Sequence, residues 1–259
     1  MPYPSSRDEI RSGRSLIGMF SILGSSEVVE MVGLAGFDFV IIDLEHGPYG
    51  LHAAASLILA ARARALTPWV RVRSNDPSLV GAALDAGAAG VLVPQVGSVD
   101  AARSLVAAAR FAPEGRRGLN PWVRAADFSA GADWLHEANE SVAVMAMVEG
   151  EEGLANLGGI LEVEGLDAIF LGPVDLAQSM GLGLQSEHPR VVDSIVAVVE
   201  QAARVGKAVA VFAPHAAAAR RWIERGVRLV AVSEDTAVMA AALRGLRADI
   251  GSALPPVGS

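Results

Sequence analysis

Eight short apolar, β-branched runs alternate along the chain with eight longer, alanine-rich stretches, and this alternation constrains the fold more than any other feature. The predicted strands cover 16–22, 38–43, 68–73, 90–94, 142–148, 168–172, 207–213 and 228–232. The predicted helices cover 26–35, 50–64, 77–87, 98–110, 152–163, 190–205, 215–225 and 234–246. This order predicts an α/β fold, a (β/α)8 barrel, with an open, doubly wound sheet as the alternative.

The length of the chain fits one such barrel. Its 259 residues, 52% of them hydrophobic, can bury one large core, so we expect a single domain over 1–259. Residues 1–14 are expected to form an N-terminal extension, and residues 250–259 a loose C-terminal tail. The segment 112–141 is the longest stretch without predicted structure, and loops of this length in compact domains are often functional.

Composition excludes several classes of partner and chemistry. A net charge of −8 without a basic tract argues against nucleic acid. The absence of cysteine excludes disulfides, thiolate metal sites and a cysteine nucleophile. No apolar stretch is long enough to span a bilayer, and the N-terminus lacks the apolar core of a signal peptide. We therefore expect no membrane partner and a cytoplasmic protein.

Two predicted strands lead directly into carboxylates. VAVMAMVE ends at Glu149, and AIFLGPVD ends at Asp175. In a barrel the carboxyl ends of the strands form one face, so both acids are expected at the same rim, where they could bind a hard divalent cation. Taken singly, Glu149 could instead be an N-terminal helix charge, and Asp175 could cap a helix.

Further polar side chains are predicted at the same rim. Asp43, Glu45 and His46 follow the second strand in IIDLEHGP. In the third strand Arg71 and Arg73 alternate with valines and are expected to point into the barrel, where they need carboxylates or an anionic ligand. His46 alone would fit a loop histidine, and Arg71 alone a structural ion pair. Together with the two acids, they indicate a catalytic site.

The strands and turns around this rim predict a substrate pocket. Met147 shares the strand face of Glu149, and the turn at 172–173 exposes backbone N–H groups that could hold a substrate carboxylate. Besides Arg71, we assign to substrate binding Met147, Gly172, Pro173, Val174, Asp175, Phe20 and Phe212. Schiff-base chemistry fails on position, because Lys207 is the only lysine and lies at the start of the seventh predicted strand, opposite the two acids.

Several motifs carry a resemblance to a known family. GFDFVIIDLEHGP, VRVRSND, LDAGAAGVLVPQV, RFAPEGRRG and VEGLDAIFLGPVDLAQSMG resemble, in order and spacing, the HpcH/HpaI aldolase family. The resemblance runs from Ile17 to about Arg247. It implies a metal-dependent (class II) pyruvate aldolase on a (β/α)8 barrel. It also implies a homo-oligomer, a hexamer built as a trimer of dimers that exchange their C-terminal helices.

The resemblance also implies roles for the residues at the rim. Glu149 and Asp175 correspond to the two metal-binding carboxylates, which would hold Mg²⁺, Mn²⁺ or Co²⁺. His46 corresponds to the catalytic histidine, and Asp43 to the acid that orients or polarises it and would fix its tautomer. Arg71 corresponds to the arginine beside the keto group of the substrate.

Four more positions follow from the resemblance. Asp85 corresponds to a catalytic acid that reaches the active site near a subunit boundary, and Val174 to the position whose backbone N–H holds the pyruvate carboxylate. Arg124, in the long irregular segment, resembles an arginine that meets the distal end of an acidic aldehyde. Met147 is a departure, because many relatives carry there a glutamine that hydrogen-bonds the substrate, and a thioether cannot donate that bond.

The expected reaction is the reversible cleavage of a 4-hydroxy-2-oxo acid to pyruvate, or a close analogue, and an aldehyde. A metal-stabilised enolate would form, with Arg71 adding positive charge and His46 taking the proton of the C4 hydroxyl. One alternative keeps the enolate but decarboxylates oxaloacetate or forms a carbon–carbon bond in biosynthesis. The other is a barrel that binds an oxo acid without turnover.

Overall fold

Eight parallel strands form a closed barrel in the computed structural model of the protein, which describes residues 5–251. The strands pair in chain order, and the pairing of the first with the last closes the sheet. The predicted (β/α)8 barrel is therefore confirmed, and the open doubly wound sheet is excluded. The strands are β1 (Leu16–Ser21), β2 (Phe39–Asp43), β3 (Thr67–Arg71), β4 (Gly90–Val93), β5 (Ala143–Val148), β6 (Ala168–Leu171), β7 (Ala208–Ala213) and β8 (Leu229–Glu234).

Helices connect the strands and surround the barrel. They are α1 (Ser6–Arg11), α2 (Ser26–Leu34), α3 (Leu51–Ala63), α4 (Pro77–Asp85), α5 (Val99–Ala109), α6 (Trp134–Ser141), α7 (Glu151–Ala155), α8 (Leu157–Leu161), α9 (Pro173–Ser179), α10 (Pro189–Arg204), α11 (Ala216–Glu224) and α12 (Asp235–Gly251). All predicted helices are present, and the predicted helix 152–163 is divided into α7 and α8. Between residues 5 and 251, none of the helices has the length and apolar character needed to cross a membrane.

Alternation along the strands divides the core into two layers. Side chains on one strand face fill the barrel interior, where Phe39 stacks on Trp69 with ring centroids 4.2 Å apart. Side chains on the other face pack against the helices in a larger cluster. In β5, Met145 and Met147 point inward and Val144 points outward. The same alternation directs Glu149, the residue after Val148, towards the mouth of the barrel.

Helix α1 closes the barrel at the end where the strands begin. Ser6 accepts a hydrogen bond from the Trp69 indole at 2.7 Å. Arg7 Nε donates to Asp167 Oδ1 at 2.9 Å, and Arg110 Nη2 donates to Asp167 Oδ2 at 3.2 Å. Most of the predicted N-terminal extension is therefore an integral part of the barrel.

The last helix starts at a buried carboxylate. Asp235 accepts hydrogen bonds from the Ser21 hydroxyl at 3.1 Å and from the backbone N–H groups of Ile22 and Leu23, at 2.9 Å and 3.1 Å. It therefore ties the beginning of α12 to the chain that follows β1. The helix extends to Gly251, so residues 250 and 251 of the predicted loose tail are helical, and residues 252–259 lie outside the described part of the chain.

Candidate active site

The carboxyl ends of four strands bring charged residues to one rim of the barrel. Asp43 ends β2, Arg71 ends β3, Glu149 follows β5, and Asp175 lies in the first turn of α9 after β6. Neither Glu149 nor Asp175 caps a helix, because glycines occupy the N-cap positions of α7 and α9. The rim is the face on which barrel enzymes carry their active sites.

A buried ion pair between Asp43 and Arg71 lies at this rim. Arg71 Nε and Nη2 donate to Asp43 Oδ1 and Oδ2 at 2.9 Å and 2.7 Å, and the side chains of Arg71 and Asp43 are only 8% and 0% exposed. Asp43 Oδ1 also accepts the backbone N–H groups of Glu45 at 2.9 Å and His46 at 3.3 Å. Asp43 thus orients the His46 loop through its backbone. No hydrogen bond joins the Asp43 carboxylate to the exposed His46 ring, so the expectation that Asp43 fixes the imidazole tautomer stays a prediction.

The remaining terminal nitrogen of Arg71 is directed to other groups of the site. Nη1 lies 3.2 Å from Glu45 Oε2 and donates to Met147 Sδ at 3.9 Å, and the guanidinium carbon lies 4.8 Å from the ring centroid of Phe20. Burial acts to lower the pKa of Arg71, but Asp43 and Glu45 outweigh it and raise that pKa. The guanidinium therefore remains charged where an anionic substrate would bind.

Two of the residues assigned to the pocket are aromatic and lie together. The rings of Phe20 and Phe212 are 6.0 Å apart at an angle of 64°, and Phe20 also meets Phe170 edge-on at 5.8 Å. Because Phe20 lies against Arg71, these rings form the apolar side of the charged rim. The Arg71 side chain is only 8% exposed, so its charge interacts more strongly with neighbouring charges than it would in water.

Arg73 lies outside the barrel interior, so the expectation of a second inward arginine is wrong. Pairing of β3 with β4 ends at Arg71 and Leu92. Beyond that point the strand alternation no longer sets side-chain direction. Arg73 is exposed and donates from Nη2 to the carbonyl oxygen of Tyr49 at 3.2 Å.

Negative charge accumulates around Glu149 and Asp175. Burial raises the pKa of Glu149 to about 7 against the opposing hydrogen bond from Gln95, and the carboxylates of Asp175 and Glu45 add to the rise. The Gln95 backbone N–H donates to Glu149 Oε1 at 2.7 Å. Sequence reasoning misses Gln95, because the contact uses the backbone and no residue type signals it. It also leaves Glu45 without a role, although this acid lies beside Arg71.

Glycine at position 172 allows Asp175 and Met147 to approach the backbone. A β-carbon on Gly172 would lie 2.8 Å from Asp175 Oδ2 and 3.0 Å from Met147 Cε. Contacts this short require the neighbouring atoms to move. The absence of a side chain at 172 therefore helps to set the position of the Asp175 carboxylate.

The variant Gly172→Ala is expected to bind Mn²⁺ about 10-fold more weakly, since displacement of a group supporting a metal ligand typically has an effect of this order. The measurement is a titration of metal-free protein followed by the electron paramagnetic resonance of free Mn²⁺. Gly150→Ala is the matched control, because a β-carbon there meets no atom within 4 Å. Equal Mn²⁺ affinities in the two variants would contradict the role of Gly172 in positioning the Asp175 carboxylate.

Asp85 and Arg124 are not brought to this rim within one chain. Helices of the barrel run back towards the beginnings of the strands, and Asp85 is the last residue of α4, where it pairs with Arg117 at 2.7 Å. Arg124 Cδ lies 3.5 Å from the β-carbon position of Gly87, and its guanidinium lies 5.4 Å from the Phe128 ring centroid. The expectation that both meet the substrate thus requires a second copy of the chain.

The only lysine lies at that same distant end. Lys207 Nζ donates to the carbonyl oxygens of Val163 at 3.0 Å and Leu166 at 2.6 Å. Burial lowers the pKa of Lys207, but its position just before β7 keeps it away from the charged rim. Schiff-base chemistry at the rim therefore has no lysine available in this chain.

The donor atoms of the rim fit a hard divalent cation. Within residues 5–251 no group of three or more histidine, aspartate or glutamate side chains could hold a metal ion. Glu149 and Asp175 lie close enough for their charges to interact. Glu45 Oε2 is buried and accepts no hydrogen bond, although it forms an ion pair with Arg71 Nη1 at 3.2 Å. A cation would offset this excess of negative charge. Oxygen donors of this kind suit Mg²⁺ or Mn²⁺.

Comparison with known proteins agrees with this geometry. A profile of the HpcH/HpaI aldolase/citrate lyase family matches residues 16–242. The 4-hydroxy-2-oxo-heptane-1,7-dioate aldolase of Salmonella arizonae is 37% identical over 247 residues, which cover 95% of this chain and 94% of that protein.

Solved structures give the same result. A family protein from Burkholderia cenocepacia has a TM-score of 0.91 at 36% identity, covering 95% of this chain and 99% of that one. Citrate synthase SbnG has a TM-score of 0.85 at 30% identity, covering 96% and 97%. The similarity of this chain to these aldolases over 95% of its length shows that the protein is a carbon–carbon lyase. It belongs to the HpcH/HpaI aldolase/citrate lyase family.

Proposed function

We propose that the protein is a metal-dependent (class II) aldolase that cleaves a 4-hydroxy-2-oxo acid to pyruvate, or a close analogue, and an aldehyde. The observation that carries this proposal is the convergence of Glu149 and Asp175 beside the buried Asp43–Arg71 pair. The name of the Salmonella arizonae relative supports a 4-hydroxy-2-oxo acid as substrate. A cytoplasmic location fits this proposal, since pyruvate is formed and consumed there.

Each residue at the rim has a part in this proposal. Glu149 and Asp175 would hold Mg²⁺, Mn²⁺ or Co²⁺ through their carboxylate oxygens. A bound cation supplies Lewis-acid stabilisation of the enolate. Arg71, oriented by Asp43, presents Nη1 where negative charge develops on the oxo oxygen.

The proton and the substrate carboxylate are handled by other groups. His46, exposed at the mouth, takes the proton of the C4 hydroxyl during cleavage and returns it during condensation. The backbone N–H of Val174, in the first turn of α9, has no partner within that helix and holds the carboxylate of pyruvate. Phe20, Phe212 and Met147 line the apolar side of the pocket.

Exchange of the methyl protons of pyruvate in D₂O tests the enolate chemistry directly. We expect the metal-free protein in EDTA to lose exchange, and Mn²⁺ or Mg²⁺ to restore it. The measurement is the methyl signal of pyruvate by proton NMR, compared with the same metal ion without protein. Exchange that continues unchanged in EDTA would contradict a metal-dependent enolate.

A second candidate uses the same enolate in another reaction, either decarboxylation of oxaloacetate or condensation in biosynthesis. The structural similarity to citrate synthase SbnG favours it, as does the thioether of Met147 beside Arg71. Rates of CO₂ release from oxaloacetate and of pyruvate release from 4-hydroxy-2-oxo acids would rank the two reactions.

We also propose a homo-oligomer, a trimer of dimers in which α12 packs on a second copy. Its exposed apolar residues are each at least 44% exposed in the single chain: Val238, Met239, Leu243, Leu246 and Ile250. Such a continuous apolar face is typical of an interface. A second copy would also bring Asp85 and Arg124 to the neighbouring rim, where Arg124 would meet the distal end of the aldehyde.

Replacing Leu243 and Leu246 together with glutamate is expected to dissociate the oligomer, because both side chains lose their apolar contacts and buried charges repel. Sedimentation velocity measures the change in mass. Arg244→Gln is the control, since it alters an exposed polar residue of the same helix. A double variant that keeps the wild-type mass would contradict the interface.

A further inference from the structure

The chain leaves regular strand geometry at Gln95, just after β4. Gln95 has a φ of +57°, a left-handed conformation that is uncommon for residues other than glycine. Pro94 before it has no N–H, and Val96 after it donates to the Met147 carbonyl oxygen at 3.0 Å, which continues the pairing with β5. Between these two residues, the N–H of Gln95 turns aside and donates to Glu149 Oε1 at 2.7 Å.

This donor acts on a carboxylate that its neighbours repel. Glu149 lies near the carboxylates of Asp175 and Glu45, and a free glutamate side chain would rotate away from them. A hydrogen bond from a fixed backbone donor to an ionised carboxylate is among the stronger kinds. It therefore opposes that rotation and holds one oxygen of Glu149 in place.

We propose that Gln95 is a positioning residue for the metal site, whose backbone N–H fixes Glu149 Oε1 and leaves Oε2 to bind the cation. The inference rests on the proposed function, in which Glu149 and Asp175 hold a divalent cation. The Gln95 side chain is exposed, so the backbone conformation at this position carries the effect.

Because the backbone and not the side chain carries the effect, three substitutions of Gln95 are expected to differ. Gln95→Gly keeps the N–H and adopts positive φ without strain. Gln95→Val keeps the N–H, but a β-branched side chain strongly disfavours this conformation. Gln95→Pro removes the donor and fixes φ near −65°.

The test is a Mn²⁺ titration of each metal-free variant, followed by the electron paramagnetic resonance of free Mn²⁺. We expect Gln95→Gly to bind within about twofold of wild type, and Gln95→Val and Gln95→Pro to bind about 10-fold or more weakly, as loss of a group supporting a metal ligand typically does. Pyruvate exchange in Gln95→Val should recover at saturating Mn²⁺, because the defect is in metal affinity.

Ala65→Val controls for backbone strain. Ala65 has a φ of +53° and lies between α3 and β3, at the opposite end of the barrel. This variant should lower the midpoint of thermal unfolding in EDTA, as Gln95→Val does, and leave Mn²⁺ affinity unchanged.

Two results would overturn the inference: wild-type Mn²⁺ affinity in both Gln95→Pro and Gln95→Val, or a loss in Gln95→Gly as large as in Gln95→Val. If Gln95→Pro does not fold, the comparison of the Gly and Val variants decides. Failure of the wild-type protein to bind Mn²⁺ would instead contradict the proposed function, so the two failures are distinguishable.

Discussion

Glu149→Gln is expected to lower metal-dependent exchange of the pyruvate methyl protons by at least ~10³-fold. Glutamine keeps the size of the side chain and an oxygen for the Gln95 N–H, but it removes one of two negative charges at the proposed metal site. A cation at such a site contributes several kcal/mol of charge stabilisation, and each ~1.4 kcal/mol corresponds to tenfold in rate. Mn²⁺ affinity should fall in parallel.

Glu151→Gln provides the matched control for that variant. Glu151 lies two residues further along, in the first turn of α7, with a side chain 61% exposed. The same change of charge there is expected to leave exchange within about twofold of wild type, because an exposed charge is screened by solvent. An exchange rate in Glu149→Gln within tenfold of wild type would show that the cation binds elsewhere.

Asp167→Ala is expected to lower the free energy of unfolding by about 3–5 kcal/mol, the usual effect of removing one partner of a buried ion pair. Asp167 accepts hydrogen bonds from Arg7, Arg110 and the backbone N–H of Val144, and its side chain is 1% exposed. Burial already lowers the pKa of Arg110 to about 10. Without Asp167, Arg110 would keep only backbone acceptors, and Arg7 would keep only the Asn139 carbonyl oxygen and the exposed carboxylate of Glu140.

Urea denaturation followed by circular dichroism, at fixed protein concentration, measures this loss. Glu187→Ala is the control, because Glu187 and Arg221 form a surface pair with side chains 66% and 45% exposed, and such pairs contribute about 0–1 kcal/mol. At urea concentrations below its unfolding transition, Asp167→Ala should bind Mn²⁺ with wild-type affinity. Asp167 and the proposed metal site lie at opposite ends of the barrel. A loss below about 1 kcal/mol would contradict the structural role of Asp167.

The sequence predicts the barrel because its information is local. Each strand carries a short apolar run and each long helix an alanine-rich stretch, so the eight repeats are visible without any tertiary contact. The short helix α1 is not predicted, because its stability depends on contacts between residues far apart in the sequence. Its Arg7 is stable in a buried position because distant groups, Asp167 and the Asn139 carbonyl oxygen, accept its hydrogen bonds.

Some residues of the candidate site can likewise be predicted from the sequence, and others depend on tertiary structure. Glu149 and Asp175 can be predicted from the sequence because each closely follows a strand-like apolar run, and the carboxyl ends of barrel strands share one rim. The direction of Arg73 depends on where pairing with β4 stops, and the position of Gln95 depends on a left-handed backbone. Asp85 belongs to a helix end, whose distance from the rim follows only from the path of the chain.

One residue, Asp235, contacts both the helix proposed to join two copies and the chain beside the pocket mouth. The carboxylate of Asp235 begins α12, the helix proposed to join two copies, and also fixes the backbone just after Phe20. A change that redirects the helix must therefore move the chain beside the pocket. Substitution of Asp235 is consequently expected to alter both the assembly of copies and the choice of substrate in this protein.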